Sequence, residues 1–282
     1  MLRSPPSLGK DKAMNRRDFV AGSVGASLVT GHAASAADGA GSEAASAPPH
    51  LLELRRYRLR FGPMEARFAE YQKTVLVPAL NRVGVKPVGV WTVSVGPDNP
   101  AVYTLLAHPN ADSVATLPAR IAADGEYQRG AAAFRNLPAS DPPYVRREST
   151  LMAAFDSVPT VEVPAGPLAG PSRVFELRTY ESHNEAAGQK KIDMFEKAGE
   201  LAIFRRLGLQ PVFFARNVIG LNLPSLTYML VYADMAAREK AWAAFRDDPE
   251  WVKLRTTPGF TNAEILTNIT SLFLRPTDYS QI

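Results

Sequence analysis

The chain has 282 residues, of which 46% are hydrophobic, so it can bury one large core or two modest ones. Its formal net charge is +4, but the first 36 residues hold five Lys or Arg and two acidic residues. The remainder is therefore nearly neutral and indicates neither a nucleic-acid nor an anionic-membrane partner. The absence of Cys excludes disulfides, thiolate zinc sites and Cys nucleophiles.

Residues 1–36 are predicted to be a cleaved export signal rather than part of the fold. Asn15-Arg16-Arg17-Asp18-Phe19-Val20 has a twin arginine before a hydrophobic residue, and Ala34-Ser35-Ala36 has the small residues that a signal peptidase requires. The apolar run between them is too short and too rich in Gly for a stable membrane span. The order of twin arginine, apolar run and small residues resembles a twin-arginine export signal, with Met1 or Met14 as the start. It predicts a periplasmic or secreted bacterial protein. The alternative is a chance Arg-Arg pair before a disordered tail.

The rest of the chain is predicted to contain two copies of one unit. Gly84-Val85-Lys86-Pro87-Val88 matches Gly208-Leu209-Gln210-Pro211-Val212, 124 residues later, and the same offset relates Asp124 to Asp248. A period of this length indicates a duplicated small domain rather than a solenoid repeat. The predicted organisation is a flexible lead-in at 37–49, a first unit at 50–155, a Pro-rich linker at 156–172 and a second unit at 173–282.

Hydrophobic periodicity predicts the same order of elements in both copies. The first copy has a strand at 51–57, a helix at 64–83 that Pro78 should kink or end, and strands at 87–95, 101–107 and 148–155. The second copy has a strand at 173–180, a helix at 185–207, strands at 211–219 and 225–232, a helix capped by Asp234, and a strand at 268–274. The order β-α-β-β-α-β is that of the ferredoxin-like unit, so the predicted fold class is α+β.

The opening strand of each copy alternates between an apolar face and a charged one. Leu52 and Leu54 share one face of the first, and Phe175 and Leu177 share one face of the second. Because a ferredoxin-like sheet has helices on one face only, we predict that the two sheets meet face to face and close an intramolecular α+β barrel. The charged faces are expected to point into its cavity. The candidate ligand-binding residues are Glu53, Arg55, Tyr57, Trp91, Glu176, Arg178 and Tyr180.

Two interpretations of these residues remain open. In the first, the arginines hold a carboxylate or enolate, since a planar guanidinium can bind it in two places, and each neighbouring Glu positions the Arg or accepts a proton. Trp91, aligned with Ala215, would make one side of the cavity unlike the other. In the second interpretation, the Glu–Arg pairs are structural and the aromatic residues serve packing. No residue is predicted to be catalytic.

Several motifs resemble the NIPSNAP family. They are Glu-Leu-Arg-x-Tyr at the start of each unit, Leu-Gly-x-x-Pro-Val before the second strand, and the run from Asp234 to Phe245 followed by Asp248-Pro249-Glu250-Trp251. The first copy departs from this pattern, because Pro118 interrupts the region where Arg-Glu-x-x-Trp would lie. The resemblance covers nearly all of residues 51–276 and implies a dimeric α+β barrel fold. It implies no particular reaction.

No metal or cofactor is predicted. His50, His108 and His183 have no second ligand at a fixed spacing, although a single His could still serve as an axial haem ligand. The favoured function is an exported barrel that binds a small organic ligand in the cavity between the sheets, with transformation of that ligand without a metal as an extension of this prediction. The alternative is a non-catalytic protein-interaction module with a filled barrel. The protein is expected to be a monomeric pseudo-dimer or a homo-oligomer.

Overall fold

The computed structural model describes residues 49–97 and 99–282. The predicted export signal therefore lies outside the described residues, as does the lead-in up to residue 48. None of the described helices is long and apolar enough to cross a membrane.

The first unit contains four strands and four α-helices. They are β1 (Leu51–Arg58), α1 (Pro63–Tyr71), α2 (Val77–Arg82), β2 (Val88–Val95), β3 (Ala101–His108), α3 (Ala111–Ala123), α4 (Gly125–Arg135) and β4 (Arg146–Ala154). The second unit repeats this order with one additional short helix. Its elements are β5 (Val174–Glu181), α5 (Glu185–Glu196), α6 (Glu200–Arg206), β6 (Gln210–Ile219), β7 (Ser225–Tyr232), α7 (Met235–Asp247), α8 (Pro249–Arg255), α9 (Asn262–Ile265) and β8 (Asn268–Pro276).

Equivalent side chains fix the helix boundaries in both units. Asp124 accepts hydrogen bonds from the first amides of α4, and Asp248 does the same for α8. Asp124 also pairs with Arg82 at the end of α2, and Asp248 pairs with Arg206 at the end of α6. Asp234 caps α7 by accepting from the amide of Ala237 at 2.7 Å, as predicted. The duplicated sequence is thus accompanied by duplicated capping.

Pro78 neither ends nor sharply divides the first long helix. A π-helical turn at Gln72–Leu76 joins α1 directly to α2, and Pro78 lies at the beginning of α2. A proline cannot donate to the carbonyl four residues earlier and its ring clashes with that carbonyl in a regular α-helix. A wider turn just before the proline relieves this conflict, so the chain continues as a helix.

The eight strands form one closed antiparallel barrel in the order β1-β3-β2-β8-β5-β7-β6-β4. Each unit contributes four consecutive strands in the ferredoxin-like order. The two four-stranded sheets join where β2 pairs with β8 and β4 pairs with β6. The predicted fold of two tandem ferredoxin-like units in one intramolecular α+β barrel is confirmed.

Apolar side chains from both units fill the middle of the barrel. Leu52, Leu54, Phe175 and Leu177 belong to this core, together with inward-facing residues of the other strands. An eight-stranded barrel has an interior just wide enough for side chains to fill. At the end where β1 begins, Ile282 also belongs to the core, and Val161 and Leu168 from the segment 156–172 pack against it. The opposite end of the barrel is open.

Candidate ligand-binding site

The charged faces of the opening strands do not point into the barrel, so the predicted orientation is wrong. Tyr57 belongs to the core beneath the first unit's helices, and Tyr180 to the core beneath the second unit's helices. Because side chains alternate along a strand, the Arg two residues before each Tyr and the Glu four residues before it lie on the same outer face. The affected residues are Glu53, Arg55, Tyr57, Glu176, Arg178 and Tyr180. A filled apolar interior has no partners for these charges, whereas on the outer face α7 supplies Arg238 and Trp242 as partners for Glu176.

Trp91 lies on the opposite face of the sheet from these six residues. Its side chain is fully buried in the barrel core, with its ring 5.4 Å from that of Phe175. It pairs in register with Tyr103, which also faces inward. The structure therefore separates Trp91 from the other predicted site residues, and Trp91 packs the barrel. The large ring fits there because Gly89 has no side chain to occupy the same space.

In the second unit, Glu176 is the centre of a closed hydrogen-bond network. Its fully buried carboxylate accepts from Arg178 at 2.7 Å, from Arg238 at 3.0 and 3.1 Å, and from Trp242 Nε1 at 2.9 Å. Ser271 donates a further bond at 2.9 Å. Burial alone would raise the pKa of Glu176, but the two guanidiniums outweigh it and hold the pKa below its ordinary value. The structural interpretation of this pair therefore fits the second unit.

Large side chains surround Arg178 under the second unit's helices. The Trp242 ring lies 4.8 Å from the guanidinium of Arg178 and packs on Phe204. Nearby, the buried ammonium of Lys191 pairs with Glu200 at 2.6 Å and lies 4.3 Å from the Phe195 ring. These contacts pack aromatic rings and an ion pair around Arg178.

The first unit has a smaller network around Glu53. Arg55 donates two bonds to Glu53, both at 2.8 Å, and Ser149 donates a third at 2.8 Å. Burial opposes ionisation of Glu53, but the bonds from Arg55 lower its pKa below the ordinary value. His108 Nε2 lies 3.9 Å from the Glu53 carboxylate, and burial lowers the pKa of His108 despite that charge. No equivalents of Arg238 and Trp242 reach this Glu, since the aligned residues are Val114 and Pro118.

A pocket of about 430 Å³ opens between the sheet and the helices of the first unit. We call it the helix–sheet pocket. Its position corresponds to the space that Trp242 fills in the second unit, because Pro118 lies in its wall and is related to Trp242 by the 124-residue offset. At the same offset, Leu76 replaces Glu200 and Tyr127 replaces Trp251. The smaller side chains of Pro118 and Tyr127 leave the pocket open. The lining residues are Arg55, Tyr57, Phe68, Tyr71, Leu76, Leu80, Leu117, Pro118, Ile121, Tyr127, Phe134, Arg135, Pro143, Tyr144 and Arg147.

The helix–sheet pocket combines aromatic walls with cationic groups. Tyr71 stacks on Phe134 with ring centroids 3.9 Å apart, and its hydroxyl lies 3.0 Å from that of Tyr127. Burial, reinforced by the Tyr127 hydroxyl, raises the pKa of Tyr71, so this phenol stays protonated at neutral pH. Among the residues that the structure describes, three arginines and no acidic residue line the pocket. The pocket therefore suits a flat, negatively charged molecule.

The site includes two of the predicted residues, Arg55 and Tyr57. Sequence reasoning missed Tyr71, Tyr127, Arg135, Tyr144 and Arg147, which come from α1, α4, β4 and the segment before β4. The sequence contains one signal for this pocket: at the 124-residue offset, Pro118 stands where the second unit has Trp242. The sequence alone does not show that this difference opens a pocket. In residues 49–97 and 99–282, no group of three or more His, Asp or Glu side chains is placed to hold a metal ion.

The NIPSNAP family model matches residues 52–140 and 175–281, which cover most of both units. The chain belongs to the NIPSNAP family. An uncharacterised NIPSNAP-like domain protein from Burkholderia xenovorans is 21% identical over 40% of this chain and 92% of its own, with a TM-score of 0.36. No curated protein matches the sequence.

Two solved structures share the fold of the whole barrel with this NIPSNAP chain. One is a candidate monooxygenase from Lactobacillus acidophilus NCFM, 10% identical, with a TM-score of 0.54 over 81% of this chain and 94% of that one. The other is a candidate monooxygenase from Fusobacterium nucleatum, 7% identical, with a TM-score of 0.53 over 81% of this chain and 93% of that one. At these identities the likeness extends to the fold alone.

Proposed function

We propose that this NIPSNAP protein binds a small aromatic carboxylate or related organic anion in the helix–sheet pocket of its first unit. The observation that carries the proposal is the difference between the units: Trp242 and Arg238 close the second site around Glu176, while Pro118 and Val114 leave the first site open. Of the two equivalent sites, beside Arg55 and beside Arg178, the one in the first unit is open.

The charges of the pocket favour an anion. Glu53 neutralises Arg55 by accepting from its Nε and Nη2 groups, so the net positive charge of the lining comes from Arg135 and Arg147. Arg135 and Arg147 are exposed at the pocket and can approach a charged group from the solvent side. A guanidinium binds a carboxylate with two parallel hydrogen bonds, which fixes its orientation as well as its charge.

The chemistry of the lining supports binding more directly than catalysis. Neither a carboxylate nor an imidazole lines the pocket, and the phenol of Tyr71 is a weaker acid than usual. General acid–base catalysis near neutral pH needs a group that titrates there. The fold likeness to candidate monooxygenases adds no residue to this site, and the proposal therefore concerns binding. The filled barrel core fits the alternative of an interaction module, but that alternative does not account for the open pocket.

Binding should depend on the ligand's charge and on Arg147. We expect salicylate or a similar aromatic carboxylate to bind, and its uncharged amide to bind about tenfold more weakly, because a hydrogen bond to a charged group is worth about 1.5–3 kcal/mol. Replacing Arg147 by Gln should weaken carboxylate binding by a similar factor. Isothermal titration calorimetry on the mature chain measures both effects.

Arg146→Gln is the matched control for that experiment. Arg146 is also exposed and precedes Arg147 on β4, but it does not line the helix–sheet pocket. Its replacement should leave the affinity unchanged. The proposal is wrong if no aromatic carboxylate binds, if the amides bind as tightly, or if the two variants lose affinity equally.

We also propose that the protein is exported in folded form through the twin-arginine route and cleaved near Ala36. The support is the order of Arg16-Arg17, the apolar run and Ala34-Ser35-Ala36, and a chain without Cys gains nothing from oxidative folding after export. Changing Arg16 and Arg17 to Lys should leave the precursor in the cytoplasm, as shown by fractionation and immunoblotting. An undiminished periplasmic pool in this variant would refute the assignment.

A further inference from the structure

The open end of the barrel forms a second cavity, separate from the helix–sheet pocket. We call it the barrel mouth. It has a volume of about 300 Å³ and lies at the end where β1 and β5 terminate. Its lining residues come from both units: Leu54, Arg56, Tyr103, Glu148, Ser149, Thr150, Leu177, Thr179, Glu181, Asn217, Leu221, Asn222, Thr227, Thr270 and Leu272. The volume is at the small end of the range for ligand sites, so the ligand would be small.

The barrel mouth has an apolar floor and a wall of hydroxyl groups. Leu54, Leu177 and Leu272 form the floor and belong to the barrel core. Four threonines line the wall above them: Thr150, Thr179, Thr227 and Thr270. The hydroxyls of Thr179 and Thr227 lie 3.0 Å apart. Each hydroxyl can both donate and accept a hydrogen bond, so this wall matches a ligand that also carries hydroxyl groups.

Asn217 provides independent evidence that the barrel mouth is built for a ligand. Its side chain is only 7% exposed, and its amide nitrogen donates to Ser225 Oγ at 2.8 Å. The amide oxygen is buried with no hydrogen-bond partner among the described residues, and Asn217 lines both the barrel mouth and a neighbouring cavity beside α5. A buried polar atom without a partner is costly, and a donor on a bound molecule would remove that cost.

The charges at the rim disfavour an anionic ligand. Arg56 is paired with Glu148 at 2.5 Å, so its charge is neutralised within the protein. Glu181 adds a second carboxylate, which accepts hydrogen bonds from Asn222 and Asn268. The lining thus holds two carboxylates against one guanidinium. This balance is the reverse of that in the helix–sheet pocket.

We propose that the barrel mouth binds a small uncharged polyol, such as a monosaccharide or an alditol. Its C–H faces would lie on the leucine floor, its hydroxyls would bond to the threonine wall, and one hydroxyl would donate to Asn217. The two sites lie on opposite faces of the same sheet, since Arg55 lines one and Arg56 lines the other. Polyol binding is therefore independent of anion binding in the helix–sheet pocket.

Leucine methyl NMR on the mature chain tests the location of the ligand. The probes are glucose, xylose, their alditols, and gluconate as the anionic counterpart, each titrated into the millimolar range. At least one neutral probe should shift the methyl signals of Leu54, Leu177 and Leu272 and leave those of Leu80 and Leu117, which line the helix–sheet pocket, unchanged. Gluconate should bind at least several-fold more weakly.

Two variants test the assigned contacts. Asn217→Leu and Thr227→Val should each weaken binding of the responsive probe by about threefold to tenfold, the range expected for one hydrogen bond. Thr92→Val, at an exposed position on β2 outside the barrel mouth, should not change it. If the Asn217→Leu variant does not fold, the affinity of the Thr227→Val variant for the probe tests the proposal by itself. The proposal is overturned if no neutral probe shifts the three floor leucines, if gluconate binds as tightly, or if affinity survives in the folded variants.

Discussion

Replacing Glu176 by Leu is expected to lower the free energy of unfolding by about 3–5 kcal/mol, the usual cost of breaking a buried charge network from one side. The substitution leaves the Arg178 and Arg238 guanidiniums and the Trp242 indole without their shared acceptor. Urea unfolding followed by circular dichroism measures the loss. Glu70→Leu, at an exposed position on α1, is the control and should stay within about 0.5 kcal/mol of the wild type.

The equivalent Glu53→Leu change should cost less. Glu53 is 13% exposed and pairs with one guanidinium, whereas Glu176 is fully buried and pairs with two. Arg178 and Arg238 also face packed aromatic residues. If Glu53→Leu lowers the free energy of unfolding as much as Glu176→Leu, then Glu53 is held as tightly as Glu176. The proposed difference between the two sites would then be wrong.

The pH dependence of stability gives a second measure of the Glu176 network. Because the folded-state pKa of Glu176 is held below its ordinary value of 4.5, its stabilising contribution is present above that value. The contribution is lost as the pH falls through the folded-state pKa. Glu176→Gln removes the titrating group, so its unfolding free energy should fall less steeply than that of the wild type below about pH 4.5. Parallel curves would show that Glu176 titrates normally.

Replacing Trp242 by Ala is expected to destabilise the protein by about 3–5 kcal/mol, the range for removing a large buried aromatic side chain. The variant loses the hydrogen bond to Glu176, the contact with Arg178 and the packing on Phe204. The variant also creates in the second unit the space that, in the first unit, is the helix–sheet pocket.

Indole offers a direct test of that opening. A cavity left by a tryptophan can bind a molecule of the same shape, and binding to the folded state alone raises the melting temperature. Indole should therefore raise the melting temperature of the Trp242→Ala variant more than that of the wild type. A loss of less than about 1 kcal/mol, or no selective effect of indole, would show that Trp242 does not close the second site.

The sequence predicts the barrel well because the two copies support each other. Matching positions such as Gly84 and Gly208, or Asp124 and Asp248, carry the same turn and cap in both units, and tandem ferredoxin-like sheets have one natural way to cover their free faces. Alternation along β1 and β5 also separates an apolar face from a charged one. It cannot tell which face the helices cover, because the partners of Glu176 lie on α7, far along the chain.

The pocket itself follows from geometry that the sequence does not contain. Its lining arginines and tyrosines are scattered over separate elements, and each is unremarkable in its own segment. Pro118 is visible as a departure from the family pattern, but only the structure shows that its counterpart Trp242 fills the site beside Arg178. Trp91 shows that a break in the duplication does not always mark a pocket. It differs from its aligned residue, but its side chain packs in the barrel core.

The most direct test of the account is the affinity of Pro118→Trp for the aromatic carboxylate that the wild type binds. This change gives the first unit the residue that closes the second, and Pro118 lies in the pocket wall at the equivalent position of α3. Replacing a proline inside a helix also removes a local cost to folding. We predict, by titration calorimetry, at least a tenfold loss of carboxylate affinity with a melting temperature no lower than that of the wild type. Unchanged affinity in a folded Pro118→Trp variant would contradict the assignment of the ligand to the helix–sheet pocket.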